Sequence, residues 1–498
     1  MKKHKGSLTV FFALTIMMFV SLSFALTEVV HLKALTDKAD VLSDIGIEST
    51  FSDYNRLLWE EYNLLAIDSG YCSSSPNTAL IDARAMSVVS ENSDPDINAV
   101  NLLRMSTVKC ESKDYGMITD NDGAPLIKEA AIWSKSHIPA MLLTSLGNYS
   151  DRINNDKKEA GNIDKAIEDA NNLSSEVTEK TENDEPLSEE EGKSLKPSLP
   201  PADPPDNPAE IIGNLKDQTL IKQVFGSDDH LSKKKITLEK KPSRRNLIKG
   251  TVTGEKVTAT DKLLFAFYLK ENLSNYQNDI AHKGLNYEWE YILMGNDSDK
   301  ENIADVLSAL LAVRTAENML AILRDKAKTS EAEALATLII GWTGIEALVK
   351  VLTVGIEAAW AYLESILDIR LLLSGGKISF FKSPEEWTSK LSLFANYFPP
   401  EIKAKECKNG LSYEDCLMLM TVISSSKNSG KNFMDILENE MHLTEDYRDS
   451  KIDNHLYALS MDFTFESTPL FFGLIPYSWG EYDLYEFNRK RELSYTVL

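Results

Sequence analysis

The residue types that carry most enzyme chemistry are present in this chain, but they do not form a catalytic pattern. The seven histidines are scattered, and none lies three or four residues from another. The sequence has no HExxH, GxSxG, P-loop or GxGxxG motif, which would hold zinc, a nucleophilic serine, phosphates or a dinucleotide. An SxxK match at Ser232 and Lys235 lies in a charged stretch where nothing would desolvate the lysine and lower its pKa. We therefore predict that the protein is not an enzyme and binds no cofactor.

Two short clusters contain residue types that are common in binding sites. Residues 120–123 (DNDG) look like the start of a calcium loop, but the third ligand and the terminal glutamate of an EF-hand are missing, so we predict a turn. Residues 287–291 (YEWEY) alternate aromatic and acidic side chains and could form a carbohydrate or peptide platform. An aromatic-rich helix flank is more typical of a core, which is the interpretation we prefer. Neither cluster predicts a metal site.

Four cysteines occur in the chain: Cys72, Cys110, Cys407 and Cys416. They form no CxxC and no Cys/His cluster with zinc spacing. If disulfides form, the pairs local in sequence are Cys72 with Cys110 and Cys407 with Cys416, and free thiols are the open alternative.

The composition bounds the class of partner. The chain has 498 residues, 43% of them hydrophobic and 26% charged, and a net charge of -23. This length allows two or three domains, and the acidic balance argues against nucleic acid as a partner and against a polybasic grip on lipid. Basic runs at 232–235 and 240–245 are interpreted as solvated loops, with a dock for an acidic partner as the alternative.

The elements that position the rest of the chain begin with an uncharged run of 19 residues, Leu8–Leu26. About 20 residues of helix cross the roughly 30 Å of bilayer hydrocarbon. Lysines precede the run at positions 2, 3 and 5, and acidic residues follow it from Glu28 onward. The positive-inside rule then predicts a cytoplasmic head at 1–6, a transmembrane helix at 7–26 and everything later outside the cell membrane, in a single-pass protein whose first partner is the lipid bilayer.

A cleaved signal peptide is the competing interpretation of this run. Ser23-Phe24-Ala25 resembles a cleavage site with small residues. However, the run is longer than the usual ~7–15 residue core of a signal peptide, and helical periodicity continues through the supposed cut. Apolar residues recur in steps of three and four from Leu32 to Leu65. The sequence therefore predicts a retained anchor that continues as an extracellular amphipathic helix over 27–68, with Gly46 as a weak point or bend.

The remainder divides by composition and periodicity. We predict an α+β segment at 69–149, a polar, acidic and proline-rich flexible linker at 150–256 and a helical bundle at 257–453. The period changes to two over 454–498, which predicts C-terminal strands that pair with strands at 97–120.

Residues 331–373 are apolar enough to be mistaken for a second membrane span. Charged residues interrupt them every few positions, and a charge in hydrocarbon is costly, so we predict two core helices. The expected fold class is α+β and predominantly helical. It combines a transmembrane helix continuous with an amphipathic helix, a small sheet from N- and C-terminal strands, and an inserted helical bundle.

The N-terminal layout resembles that of type IV pilin-like proteins: a basic head, Gly6-Ser7, an apolar run and a continuous amphipathic helix. More narrowly, Gly6–Leu14 and Tyr54–Leu65 resemble an uncharacterised membrane-anchored family of Gram-positive anaerobes, which is similar to the TadE/TadG minor pseudopilins. Segments 287–305, 356–387 and 411–419 also resemble this family.

The resemblance implies a structural component of a Tad-type pilus or type II-like secretion apparatus. It implies other membrane proteins of that apparatus as partners, contacted through the N-terminal helix, and a candidate processing site between Gly6 and Ser7. The chain departs from the pilin pattern at Phe11, where pilins carry a glutamate. The alternative function is a surface-anchored enzyme or ligand-binding protein whose site is not visible in the sequence.

Overall fold

A computed structural model describes residues 5–73, 75–93, 103–137, 205–216, 218–252, 256–423, 428–471 and 484–496. The chain divides into two compact units. The first comprises Met1–Ile132, Leu238–Val257 and Leu437–Leu498, and the second comprises Trp133–Thr237 and Thr258–Ile436. The N-terminal and C-terminal parts of the chain thus belong to the first unit, and the second unit is inserted between them in the sequence.

The first unit is organised along helix α1, Lys5–Ser52, which is 48 residues long. Its first part is exposed, and burial begins at Glu28 and recurs every three or four residues as far as Thr50. One helix therefore carries both the apolar run and the amphipathic stripe that the sequence predicts.

Three further helices complete the described N-terminal part: α2 (Arg56–Tyr62), α3 (Thr78–Ser93) and α4 (Ala124–His137). The prediction of one helix over 27–68 is wrong at its end. Asn55 accepts a hydrogen bond from the N–H of Leu58, so it starts α2 as an N-cap, and Asn63 ends it in the left-handed conformation. Asparagine competes with the helix for backbone hydrogen bonds, which explains the break.

The sheet consists of four strands, β1 (Ile67–Asp68), β2 (Met105–Met117), β3 (His455–Ser467) and β4 (Tyr485–Ser494). β3 is central and antiparallel to all its neighbours. It pairs with β2 on one side, and with β4 and the short β1 on the other. The predicted pairing between N- and C-terminal strands is confirmed, and so is the α+β, mostly helical fold class.

The core of the first unit lies between one face of this sheet and the helices α1 and α3. Its side chains include Leu35, Leu42, Ile81, Val89, Met461, Phe463 and Phe465. Gly46 is not a bend, because α1 runs through it. A Cβ at Gly46 would lie 2.5 Å from Phe463 and 2.7 Å from Val89, so the glycine permits close approach of helix and sheet.

The second unit is helical in its described residues. Its helices are Pro208–Lys216, Leu220–Phe225, Ala259–Asn272, Glu288–Met294, Asp299–Arg324, Lys326–Ile340, Glu346–Leu373 and Tyr413–Ile423. A last helix, Ser429–Leu443, begins in this unit and ends in the first. The stretch 331–373 forms parts of two helices, as predicted, and most of Ile356–Leu372 is buried. The prediction of two core helices is wrong for the first of them, because Lys326–Ile340 buries only Ala332 and Ala336.

The predicted linker at 150–256 needs a correction in its second half. Residues 205–252 are folded where the structure describes them, because apolar side chains such as Ile212, Ile221 and Val224 are buried. Low aliphatic content at 181–208 does not extend to these residues. The predictions for 97–102 and for 138–204 lie outside the described residues.

Candidate membrane anchor and buried polar clusters

The apolar side chains of the run in α1 are largely exposed in the described part of the structure. From Leu8 to Leu26 every large apolar side chain is 46–68% exposed. At 1.5 Å per residue the run spans about 28 Å, close to the hydrocarbon thickness of a bilayer. An exposed apolar surface of this size is typical of a segment that contacts lipid or another protein.

Two helices of the described chain are long and apolar enough to cross a membrane. In the first, Leu8–Ser52, none of the most apolar window is buried, whereas in Asp299–Arg324 the corresponding share is 39%. The second helix buries Leu307 and Leu310 and carries the buried Arg314, so its apolar face belongs to the core of the second unit. An exposed apolar helix compatible with a membrane anchor is therefore found at the N-terminus.

Glu28 marks the point where α1 becomes buried. Its side chain is 1% exposed and accepts hydrogen bonds from the backbone N–H groups of Leu470 (3.2 Å) and Phe471 (3.0 Å) and from the hydroxyl of Tyr485 (2.9 Å). One helical turn earlier, Phe24 stacks on Phe471 with ring centroids 4.5 Å apart. The ends of β3 and β4 are thus held against α1 where its apolar run ends.

Ion pairs fasten β4 to the next turns of α1. Arg489 donates to Asp40 at 2.6 Å, and Arg491 donates to Asp40 at 3.0 Å and also to Asp44. Hydrogen bonds from Arg491 and Arg489 lower the pKa of Asp40. Together with the contacts of Glu28, these ion pairs tie α1 to the sheet over about four helical turns, from Glu28 to Asp44.

A buried carboxyl group lies on α4 in the same unit. Glu129 is 6% exposed, and one of its oxygens accepts a hydrogen bond from the N–H of Leu65. No hydrogen-bond donor among the described residues reaches the other oxygen, Oε2. Burial raises the pKa of Glu129 to about 8 because the charged form loses its hydration.

The basic run at 240–245 is part of the fold. Arg245 makes a bidentate contact with Glu438 and a third hydrogen bond with Asp453, each at 2.6 Å. A dock for an acidic partner is therefore wrong for this arginine, whose charge is already neutralised within the first unit.

The second unit contains a buried cluster of two acids and two bases. Asp368 accepts hydrogen bonds from Arg314 at 2.8 and 3.1 Å, and Lys382 contacts both Asp368 (2.6 Å) and Glu364. Glu364 also accepts from the N–H and hydroxyl of Ser389. The side chains of the four charged residues are 0–4% exposed. Their charges compensate one another, so the cluster joins helices and does not present a reactive group.

The YEWEY segment is core, as preferred from the sequence. Trp289 donates to Thr421 and Tyr291 donates to Asp435, while Glu290 accepts from Tyr413 at 2.7 Å. All these groups are buried, so the platform interpretation is wrong. Burial raises the pKa of Glu290 to about 7.

A cavity of about 310 Å³ opens beside the charged cluster. Lys328 lines it, with its ammonium group 4.5 Å from the ring centroid of Trp387 and 5.0 Å from that of Trp360. Burial lowers the pKa of Lys328. The indole N–H of Trp387 is buried without a hydrogen-bond partner among the described residues. The lining combines four cations (Arg324, Lys326, Lys328 and Lys382) with two carboxylates (Glu317 and Asp325) and the ring of Trp387.

The remaining sequence candidates have structural roles. Residues 120–123 form the predicted turn, in which Asp120 accepts from the N–H groups of Met117 and Gly250 at 2.8 Å each. Ser232 of the SxxK match donates to Asp299 at 2.5 Å. No group of three potential metal ligands occurs in the described part of the chain.

All four predicted disulfide candidates, Cys72, Cys110, Cys407 and Cys416, are free thiols. Burial raises the pKa of Cys110 and Cys416 to about 12, which makes them poor nucleophiles. Gly6 and Ser7 lie within α1, and cleavage between them stays a prediction.

Comparison with known proteins places the larger part of the chain. Residues 201–467 match the model of a family of unknown function, DUF5702. The match includes β3 and the described helices of the second unit from residue 208 onward and leaves out α1. No curated protein and no solved structure matches the chain.

Proposed function

The chain belongs to the family of unknown function DUF5702, and we propose that it is a non-enzymatic, membrane-anchored structural component of a Tad-type pilus or type II-like secretion apparatus. The observation that carries the proposal is α1 itself. An exposed apolar run of membrane-spanning length continues, without a break, into the core of a folded unit. This is the architecture by which pseudopilin-like proteins combine an anchor with a rigid head.

The topology follows from the charges at the two ends of the run. Lys2, Lys3 and Lys5 precede it, and acidic residues follow it, so the N-terminus lies in the cytoplasm and both units lie outside. A non-enzymatic role is supported by the buried charged groups of the second unit, whose partners lie within the fold. Catalytic groups would need access to a substrate.

The partner surface we propose is the side of α1 that the first unit leaves uncovered. Val29 and Val30 are 63% and 68% exposed, just beyond the membrane run. A photo-crosslinking amino acid at Val30 in the native cell should capture small pilin-like membrane proteins. Leu338 on the helix Lys326–Ile340 is a matched control at 64% exposure and should not capture them. Crosslinks to lipid alone at Val30 would contradict assembly through α1.

Ligand binding at the cell surface is the second candidate function, and the cavity beside Lys328 favours it. Its lining carries four cations against two carboxylates, so a small carboxylate would be attracted by the excess positive charge and would accept a hydrogen bond from Trp387, although Lys328 already lies 3.9 Å from Asp325. Citrate and uronic acids should then raise the melting temperature of the wild type but not of Lys328→Met. Equal shifts in both proteins would exclude this cavity as the binding site.

A further inference from the structure

Leu470 and Phe471, which follow β3, and Leu484, which precedes β4, form what we call the end of the β3–β4 hairpin. This hairpin end lies beside the membrane run of α1. Phe471 stacks on Phe24 with ring planes 10° apart, and Glu28 binds the backbone N–H groups of Leu470 and Phe471. On the other side of the hairpin, the hydroxyl of Tyr485 donates to the same carboxylate. Both sides of the hairpin are thus fixed to one helical turn, Phe24 to Glu28.

The position of that turn sets the level of the hairpin in the bilayer. Phe24 lies within the run Leu8–Leu26, two residues before its end, which is about 3 Å along the helix axis. If this run fills the hydrocarbon, as the proposed function requires, the ring of Phe471 lies at the boundary between hydrocarbon and headgroups. This level follows from contacts in the first unit alone.

The side chains at the hairpin end suit such a boundary. Leu484, which precedes β4, is 47% exposed, and Leu470 and Phe471 are half-buried. Phenylalanine and leucine side chains of interfacial segments are buried at the boundary between headgroups and acyl chains. An acidic protein has no polybasic attraction to lipid, so an apolar contact is the means available to it.

We infer that the hairpin end, defined by Leu470, Phe471 and Leu484, is a second membrane contact that inserts into the interfacial layer of the bilayer beside α1. A helix alone leaves the attached unit free to rotate about its axis and to tilt. A second contact fixes the orientation of the first unit relative to the membrane plane. β4 then leads away from the bilayer, and its far end, Leu493, lies up to about 30 Å from Leu484.

Depth-dependent fluorescence quenching tests this inference on the full chain. Cys72 and Cys407, the two partly exposed thiols, are replaced by serine, and an NBD fluorophore is attached at Leu484→Cys. Leu493→Cys is the matched control, since Leu493 is another leucine of the same β4 region with 39% exposure. Leu14→Cys reports on the anchor itself. Each protein is reconstituted in phosphatidylcholine vesicles with nitroxide lipids labelled near the headgroup or deep in the acyl chain.

The label at 484 should be quenched by the shallow nitroxide several-fold more than the label at 493, and the label at 14 by the deep nitroxide. Quenching at 14 with equally weak quenching at 484 and 493 would overturn the inference and leave the anchor intact. Loss of quenching at 14 as well would contradict the proposed function. A label at 484 shielded from both lipid nitroxide and aqueous iodide would show that protein, not lipid, covers the hairpin end, and would also overturn the inference.

Discussion

Gly46 offers a sharp test of how the anchor helix is built into the first unit. Alanine in place of a glycine inside a helix normally stabilises it by about 1 kcal/mol. Here the added Cβ would lie 2.5 Å from Phe463 and 2.7 Å from Val89, and both neighbours are fully buried. Overpacking of a core typically costs about 1–3 kcal/mol, so the clash should exceed the gain in propensity. We expect Gly46→Ala to destabilise the first unit by roughly 1–2 kcal/mol.

The matched control is Gly355→Ala, within the helix Glu346–Leu373 of the second unit. Its added Cβ would meet only the Cβ of Ala209, at 3.7 Å, which is an ordinary contact. This change should therefore stabilise its unit by up to about 1 kcal/mol. Hydrogen exchange of the full chain in lipid nanodiscs measures both, because each 1.4 kcal/mol alters the exchange of globally protected amides about tenfold. Unchanged or slower exchange of β3 amides in Gly46→Ala would refute close packing of α1 on the sheet.

Three further predictions concern charged groups. Asp40 has a lowered pKa, so it stabilises the first unit above its unfolded pKa, and this contribution is lost as pH falls through the folded pKa. Asp40→Asn should remove this dependence of the unfolding midpoint on acidic pH. The change in the free energy of unfolding should be less than about 1 kcal/mol, because Asp40 is partly exposed. Glu129 has a pKa of about 8 in the folded protein against an ordinary 4.5, so the first unit should lose stability as pH rises from 4.5 to 8. Melting curves should therefore show that Glu129→Gln is more stable than the wild type at pH 8 and differs little from it at pH 4.5. Lys382→Met leaves two buried carboxylates with one cation, so urea unfolding should show the second unit destabilised by about 3–5 kcal/mol. The control is Lys350→Met, at a lysine that is 71% exposed, and it should change the free energy of unfolding by less than about 1 kcal/mol.

The sequence predicts most local features because their signals are local. Gly295 ends a helix in the left-handed conformation, and Ser298 and Ser412 cap the helices that follow them, as their residue types and positions indicate. The period of two over 454–467 predicts β3, and the shortage of other partners predicts its pairing with β2. The caps depend on neighbours in sequence, whereas the long-range pairing of β2 with β3 follows from the strand period and from the small number of other strands.

The features that escaped prediction depend on residues far apart in the chain. Glu28 looks like a charge that simply marks the end of the membrane run, yet its partners lie more than 440 residues later. Arg245 looks like a residue of a solvated basic loop, and Glu438 and Asp453 neutralise it. Gly46 looks like a bend because glycine weakens helices, and only the position of Phe463 shows its packing role. No periodicity or local motif encodes such contacts.

These long-range contacts show which part of α1 the first unit needs for its fold. Removal of the chain up to Ala25 would take away the membrane run and the ring of Phe24, but not the buried stripe of α1 that begins at Glu28. The packing of the first unit is therefore compatible with either a retained or a cleaved N-terminal segment. The exposed apolar run distinguishes the two cases, because most of its side chains do not pack against the described part of the first unit.

N-terminal sequencing of the mature protein most directly tests the claim that α1 is a retained membrane anchor. The protein is isolated both from cell membranes and from the medium. The account predicts a protein that keeps Leu8–Leu26, with its N-terminus at Met1 or at Ser7, and that stays in the membrane fraction after an alkaline carbonate wash. A protein that begins after Ala25 and is recovered from the medium would contradict the anchor and the structural role proposed from it.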